Sequence, residues 1–243
     1  MAGRKVHVLQ TADIPSAVCE FVAEQSKAAV RDRGVFYLGV SGGSVAKFMI
    51  EGLPKIQGVE WDKWHVFFCD ERLVPFDDSD STYRIYRELI GKVNLPEGQI
   101  YPINPSLSVA DAAKDYAAKV SNIPSGGDKF PVFDLLVLGM GPDGHTCSLF
   151  PGHQLLKEET LIVAPIDDSP KPPPCRVTLT YPVINSARCA MFASAGAGKA
   201  DMVQRVLEGS DGEPLPAARV QLKQGTVHWF LDTDAASKLQ AKY

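Results

Sequence analysis

Seven apolar, β-rich runs punctuate this 243-residue chain, at 35–40, 64–69, 133–138, 161–165, 177–183, 190–193 and 227–231, and helix-like segments separate many of them. Short continuous apolar runs of this kind read as strands buried on both faces. Strands alternating with helices imply a mostly parallel sheet, because parallel crossovers lay helices over it. The expected fold is therefore α/β: a three-layer sandwich with a mostly parallel, Rossmann-like sheet and helices on both faces. Val109, Ala112, Ala113, Tyr116 and Val120 repeat at helical spacing behind Ser108, a good N-cap, with Asp111 three residues on. Residues 44–52, 81–91 and 198–208 also read as helices, the second opened by Ser81 or Thr82. The Pro/Gly-rich stretches 121–131, 168–175 and 210–217 read as surface loops, none long enough to demand a boundary. Residues 1–243 are expected to form a single domain.

Composition narrows the partners. Apolar residues at 45% and charged residues at 22% are ordinary for a globular protein. A net charge of −4 argues against nucleic acid or an anionic membrane as the main partner, since both require a basic field. No apolar run approaches a membrane span, and the first residues lack the apolar core of a signal peptide. Cys19, Cys69, Cys147, Cys175 and Cys189 are odd in number and scattered, without Cys-x-x-Cys, which fits reduced thiols in a cytoplasmic protein.

Four glycine-rich or charged loops follow strand-like runs, at the edge where parallel sheets bind ligands. Gly139-x-Gly141-x-x-Gly144 matches a dinucleotide fingerprint. However, Glu158 and Glu159 precede the next run instead of closing it, and Asp143 would face a pyrophosphate. The better reading of this loop is a proton-transfer site, with Asp143 and His145 two residues apart. Gly39-x-Ser41-x-Gly43 has the context of a nucleophile elbow, with His228 as a late base, but only 38 residues precede Gly39. Simple N-capping by Ser41 and Ser44, or a phosphate cradle built on Gly42 and Gly43, competes with it. Gly196-Ala-Gly198-Lys199 is not a Walker loop, because Ala200 follows the lysine; it reads as a second anion-binding helix start.

Asp70-Glu71-Arg72 sits at the ligand edge, whereas Asp77, Asp78 and Asp80 read as a solvated, capping loop. No recognised ligand spacing supports a metal site with His145 and His153. His7, His65 and His228 lie in or beside apolar runs and read as structural, and His153 as a brace. Cys147 reads as buried filler before it reads as a nucleophile.

Taken together, the segments Val40-Ser-Gly-Gly-Ser44, Asp70-Glu-Arg-Leu-Val-Pro75, Gly139-Met-Gly-Pro-Asp-Gly-His-Thr-Cys-Ser-Leu-Phe-Pro151, Arg176-Val-Thr-Leu-Thr180 and Gly198-Lys-Ala200 resemble the 6-phosphogluconolactonases, in family order and across most of the chain. The resemblance implies cytosolic hydrolysis of 6-phospho-D-glucono-1,5-lactone to 6-phosphogluconate, in the oxidative pentose phosphate pathway, with no metal and no organic cofactor. Glucosamine-6-phosphate deaminases share several of these pieces. In that family a catalytic glutamate falls seven residues after the loop aspartate and a tyrosine replaces the arginine; here those positions hold Phe150 and Arg72. Cys147 and Thr82 depart mildly from the lactonase pattern, which more commonly has alanine and asparagine there.

For lactone hydrolysis, His145 is the expected general base, because imidazole titrates near neutral pH. Asp143 or Asp70 would orient the imidazole or a sugar hydroxyl. Arg72 would contact the oxyanion or the phosphate. Ser41, Gly42, Gly43, Ser44, Arg176 and Lys199 form the expected phosphate set. The expected partner is a small phosphosugar lactone, and the expected state a monomer.

Overall fold

In the computed structural model, which describes residues 3–127, 129–209 and 212–241, each of the seven apolar runs carries a strand. Strand β1 (Gly3–Leu9) leads through α1 (Ile14–Arg33) to β2 (Phe36–Val40), and α2 (Ser44–Gly52) returns the chain to β3 (Trp64–Phe68). Then come β4 (Asp70–Arg72), α3 (Thr82–Lys92), β5 (Ile100–Tyr101) and α4 (Val109–Val120). The remainder runs β6 (Leu135–Leu138), β7 (Val163–Ile166), β8 (Arg176–Leu179), α5 (Tyr181–Ile184), β9 (Cys189–Ser194), α6 (Ala200–Glu208) and β10 (Thr226–Asp232).

Seven strands make one sheet in the order β1-β10-β9-β6-β2-β3-β5, and every neighbouring pair is parallel. Every residue of β6 and β9 is buried, which requires cover on both faces of the sheet. Helices α1, α2 and α3 pack side by side, and α1 also lies against β2 and β10. Trp64, Trp229, Phe36, Phe67, Phe133 and Phe192 are among the largest fully buried side chains. Each contributes roughly 1.5–3 kcal/mol by leaving water.

Two runs leave the parallel sheet. Strands β7 and β8 pair antiparallel with each other, and β8 pairs antiparallel with β4, as a separate three-stranded sheet. No helix separates β7 from β8. Without a crossover the chain can only turn back on itself, and an antiparallel pair results. The 177–183 run also stops being a strand at Leu179, and Tyr181-Pro182 opens α5 with proline in its first turn.

The alternation of apolar runs gives no sign of β1 or α1. α1 opens with proline at its start and ends at Gly34, whose φ of 74° lets its N–H close on Val30 O. Ser81 and Ser108 cap α3 and α4, accepting from Arg84 N and Asp111 N. Ser41 and Ser44 do not cap α2: its N-cap is Gly43, at φ 85°, and no side chain closes that end. The 198–208 helix begins at Ala200, behind a 3₁₀ turn at Ala197–Lys199.

Candidate active site

β2 and β6 are neighbours, but the chain leaves β2 towards β3 on one side and reaches β9 from β6 on the other. Their carboxyl-end loops therefore diverge and leave a crevice, the place where open parallel sheets bind ligands. A cleft of about 210 Å³ opens there. Its lining includes Ser41, Gly42, Gly43, Ser44, Asp70, Arg72, His145, Arg176 and Lys199, with Thr82, Gly141 and Cys147 between them. Nine of the ten residues expected from sequence thus share one cavity. The tenth, Asp143, does not line it but stands behind His145.

His145 is placed by a tight turn. Gly144 N donates to Gly141 O at 3.0 Å and Gly141 N to His145 O at 2.9 Å, with Pro142 at the turn position that suits its fixed φ. A Cβ at Gly141 would fall inside the contact radius of His145 Cε1 and Nδ1, so the imidazole lies where only glycine leaves room. His145 Nδ1 is 2.5 Å from Asp143 Oδ1. Burial opposes ionisation of Asp143, but hydrogen bonds from His145 and Lys171 outweigh it and bring its pKa down to about 2. An ionised carboxylate can only accept, so Nδ1 carries the shared proton, and in the uncharged ring Nε2 is the nitrogen with the lone pair. Burial lowers the His145 pKa, Asp143 and Asp70 oppose this, and Lys171 adds to it. The ring of Phe150 packs 4.7 Å from the imidazole.

Lys171 is the site residue that sequence reasoning missed. Its Nζ lies 2.9 Å from Asp143 Oδ1 and 3.2 Å from His145 Nδ1. Residues 168–175 read as a surface loop because prolines dominate them. A lysine enclosed by prolines five residues before Arg176 was the available signal.

The cationic side of the cleft is only partly partnered. Lys199 Nζ donates to Met140 O at 2.9 Å, and burial followed by nearby Lys171 lowers its pKa. Arg72 Nη1 donates to Asp80 O, while Arg72 Nε and Ser41 Oγ are buried without a partner. Arg176 uses Nε and Nη2 on the carbonyls of Pro173, Lys171 and Pro172. With no side-chain cap on α2, its first N–H groups are left for a ligand or water. Asp70 accepts from Ser148 Oγ at 2.8 Å and makes no hydrogen bond to His145. Glu71 is architectural, its carboxylate accepting from the backbone N–H groups of Arg72, Thr82 and Tyr83. That clamp ties β4 to the start of α3.

The remaining candidates fall elsewhere. His228 Nδ1 lies 3.0 Å from His7 Nε2, away from the residues lining the cleft, so it is no base for Ser41. His65 pairs with Tyr101 Oη and His153 with Asp168, both as structural contacts. The thiol of Cys69 and then burial push the Cys147 thiol well above its ordinary range. A thiol kept protonated is a poor nucleophile. Among the described residues no group of three or more His, Cys, Asp or Glu could hold a metal ion. No helix among them is long and apolar enough to cross a membrane.

The sequence pattern of the glucosamine-6-phosphate isomerases/6-phosphogluconolactonase family matches residues 10–229. The chain belongs to this family. It is 48% identical to human 6-phosphogluconolactonase over 237 residues, covering 95% of this chain and 92% of the human protein. Its fold superimposes on the structure of 6-phosphogluconolactonase from Trypanosoma brucei with a TM-score of 0.84 at 27% identity, covering 98% of this chain and all of that one. A monomeric glucosamine-6-phosphate deaminase of the NagB superfamily shares the fold at a TM-score of 0.78 and 20% identity, over 96% of this chain and 99% of that one.

Proposed function

We propose that this protein hydrolyses 6-phospho-D-glucono-1,5-lactone to 6-phospho-D-gluconate, the second step of the oxidative pentose phosphate pathway. The observation that carries the reading is the Asp143–His145 pair set at a cleft whose cations and hydroxyl are incompletely partnered, with burial lowering the His145 pKa towards the uncharged ring a base needs. A buried polar group without a partner costs about 1–3 kcal/mol, which a phosphorylated ligand would recover. The 6-phosphogluconolactonases that resemble this chain over nearly their whole length support the same substrate.

In the proposed mechanism, His145 Nε2 takes a proton from water as the water oxygen attacks the lactone carbonyl carbon. Charge gathers on the carbonyl oxygen, and Arg72 is the nearby fork of donors suited to it. The tetrahedral intermediate then collapses, the bond to the ring oxygen breaks, and the imidazolium returns its proton to that oxygen. Asp143 orients the imidazole, and Asp70 is left for a sugar hydroxyl. Ser41, Gly42, Gly43, Ser44, Arg176 and Lys199 are assigned to the phosphate.

Phe150 disfavours deaminase chemistry. It is buried, and its ring rests on the His145 imidazole where that chemistry would need a carboxylate. The serine-esterase reading is disfavoured because Ser41 Oγ makes no hydrogen bond to any base. We further read the chain as one domain acting as a cytoplasmic monomer. Its five unpaired thiols suit a reducing compartment. One experiment tests the whole reading: follow lactone loss, corrected for spontaneous opening, beside glucosamine-6-phosphate deamination. Fast lactone hydrolysis without deamination is expected, and the reverse would overturn it.

A further inference from the structure

The loop before β8 is fastened from several directions. Arg176, itself 3% exposed, gathers three consecutive carbonyls through Nε to Pro173 at 3.0 Å and Nη2 to Lys171 at 3.1 Å and Pro172 at 2.9 Å. Ser169 Oγ donates to Lys171 O at 2.8 Å, and Asp168 accepts from or shares a proton with His153 Nε2 at 2.9 Å. A backbone pinned this way fixes the point from which the Lys171 side chain starts. Its ammonium meets Asp143 Oδ1, the same oxygen that faces His145 Nδ1.

We propose that Lys171 is a positioning residue for the base: the Arg176-anchored loop holds its ammonium against Asp143, fixing that carboxylate on Nδ1 while keeping His145 uncharged. The inference rests on the reading of His145 as the base. An aspartate alone on Nδ1 would orient the ring but also favour the imidazolium, which cannot accept a proton from water. A cation beside both groups offsets that tendency without releasing the ring. The other charges around the imidazole are Asp70 on β4 and, among the residues lining the same cleft, Lys199, Arg72 and Arg176. None of these makes a hydrogen bond to the Asp143–His145 pair, whereas Lys171 reaches both members from another loop. Arg176 thereby acts on the base through the backbone of residues 171–173, whatever it does for the phosphate.

The test is the pH profile of kcat/KM for the lactone in wild-type protein, Lys171→Met and Lys171→Arg, each corrected for spontaneous hydrolysis. Removing the ammonium should move the acid limb to higher pH, so that Lys171→Met loses about tenfold more at pH 6 than at pH 8. Lys171→Arg, which keeps the charge, should return the limb towards wild type. A loss equal at all pH values, or no loss, overturns the proposal. The ¹⁵N shifts of the His145 imidazole in unsubstituted protein give a second reading that does not depend on any variant folding. A neutral Nδ1–H tautomer at pH 7 is expected, and an imidazolium or an Nε2–H tautomer would overturn the proposal. His145→Ala separates the two levels: if it retains near-full rate, the reading of the base itself fails, whereas an inactive His145→Ala with an unmoved Lys171→Met profile removes only Lys171.

Discussion

Asp143 Oδ1 and His145 Nδ1 lie 2.5 Å apart within one turn, so the carboxylate that orients the imidazole belongs to the same loop. Neither partner depends on a second domain or on a distant strand to find the other. If His145 is the base, His145→Ala lowers kcat at least about 10²-fold with the fold intact. Asp143→Asn removes the negative charge that fixes the tautomer, and its loss should approach but not exceed that of His145→Ala. Steady-state kinetics with circular dichroism on both variants checks this.

Lys199 lines the cleft with its Nζ on Met140 O, and it is assigned to the phosphate, not to the reacting carbon. Hydrogen bonds to charged groups are worth about 1.5–3 kcal/mol, so Lys199→Ala should raise KM by roughly 10-fold or more with kcat little changed. A collapse of kcat at unchanged KM would move Lys199 into the chemistry.

Gly141 offers a steric test of His145 placement. Its φ is not positive, so alanine is acceptable to the backbone, but the new methyl would displace the imidazole. A displacement near 1 Å can cost about 10²-fold in rate. Gly141→Ala should therefore lose kcat while its melting temperature and KM change little, measured on one preparation.

The His7–His228 pair ties stability to acid. Burial, then His7 and Lys5, bring the His228 pKa from its ordinary 6.5 down to about 4. Between those values the unfolded chain binds a proton that the folded chain refuses, so stability falls as pH drops from 6.5 towards 4. His228→Phe should flatten this part of the pH dependence, read as urea midpoints at pH 7 and pH 5.

The parallel sheet was legible because its central strands are buried on both faces and read as unbroken apolar runs. β1 was not, since it is an edge strand with no fully buried residue and with the exposed Arg4 and Lys5 in it. α1 escaped for a related reason: its buried positions, among them Val18, Val22 and Ser26, are diluted by a charged outer face. The side sheet of β4, β7 and β8 was hidden because an apolar run carries no sign of which sheet it joins. At the site, His145 and the glycines were legible as strand-end loops. The separation of Asp143 from Asp70 was not, because only the folded turn puts one carboxylate on Nδ1 and the other on Ser148. Lys171 depends on a contact across 28 positions of chain, which no local pattern encodes.

The cations lining the cleft carry a consequence for the end of the reaction. The lactone arrives with one anionic group, but opening the ring creates a second, a carboxylate at the other end of the carbon chain. If Arg72, Arg176 and Lys199 hold the substrate as proposed, they then face a product more strongly anionic than the molecule they captured. The attraction that draws substrate in also delays escape. Added salt shortens the reach of these charges to under about 10 Å, so it should hasten departure while slowing arrival, and set opposite limits on turnover at high and low substrate.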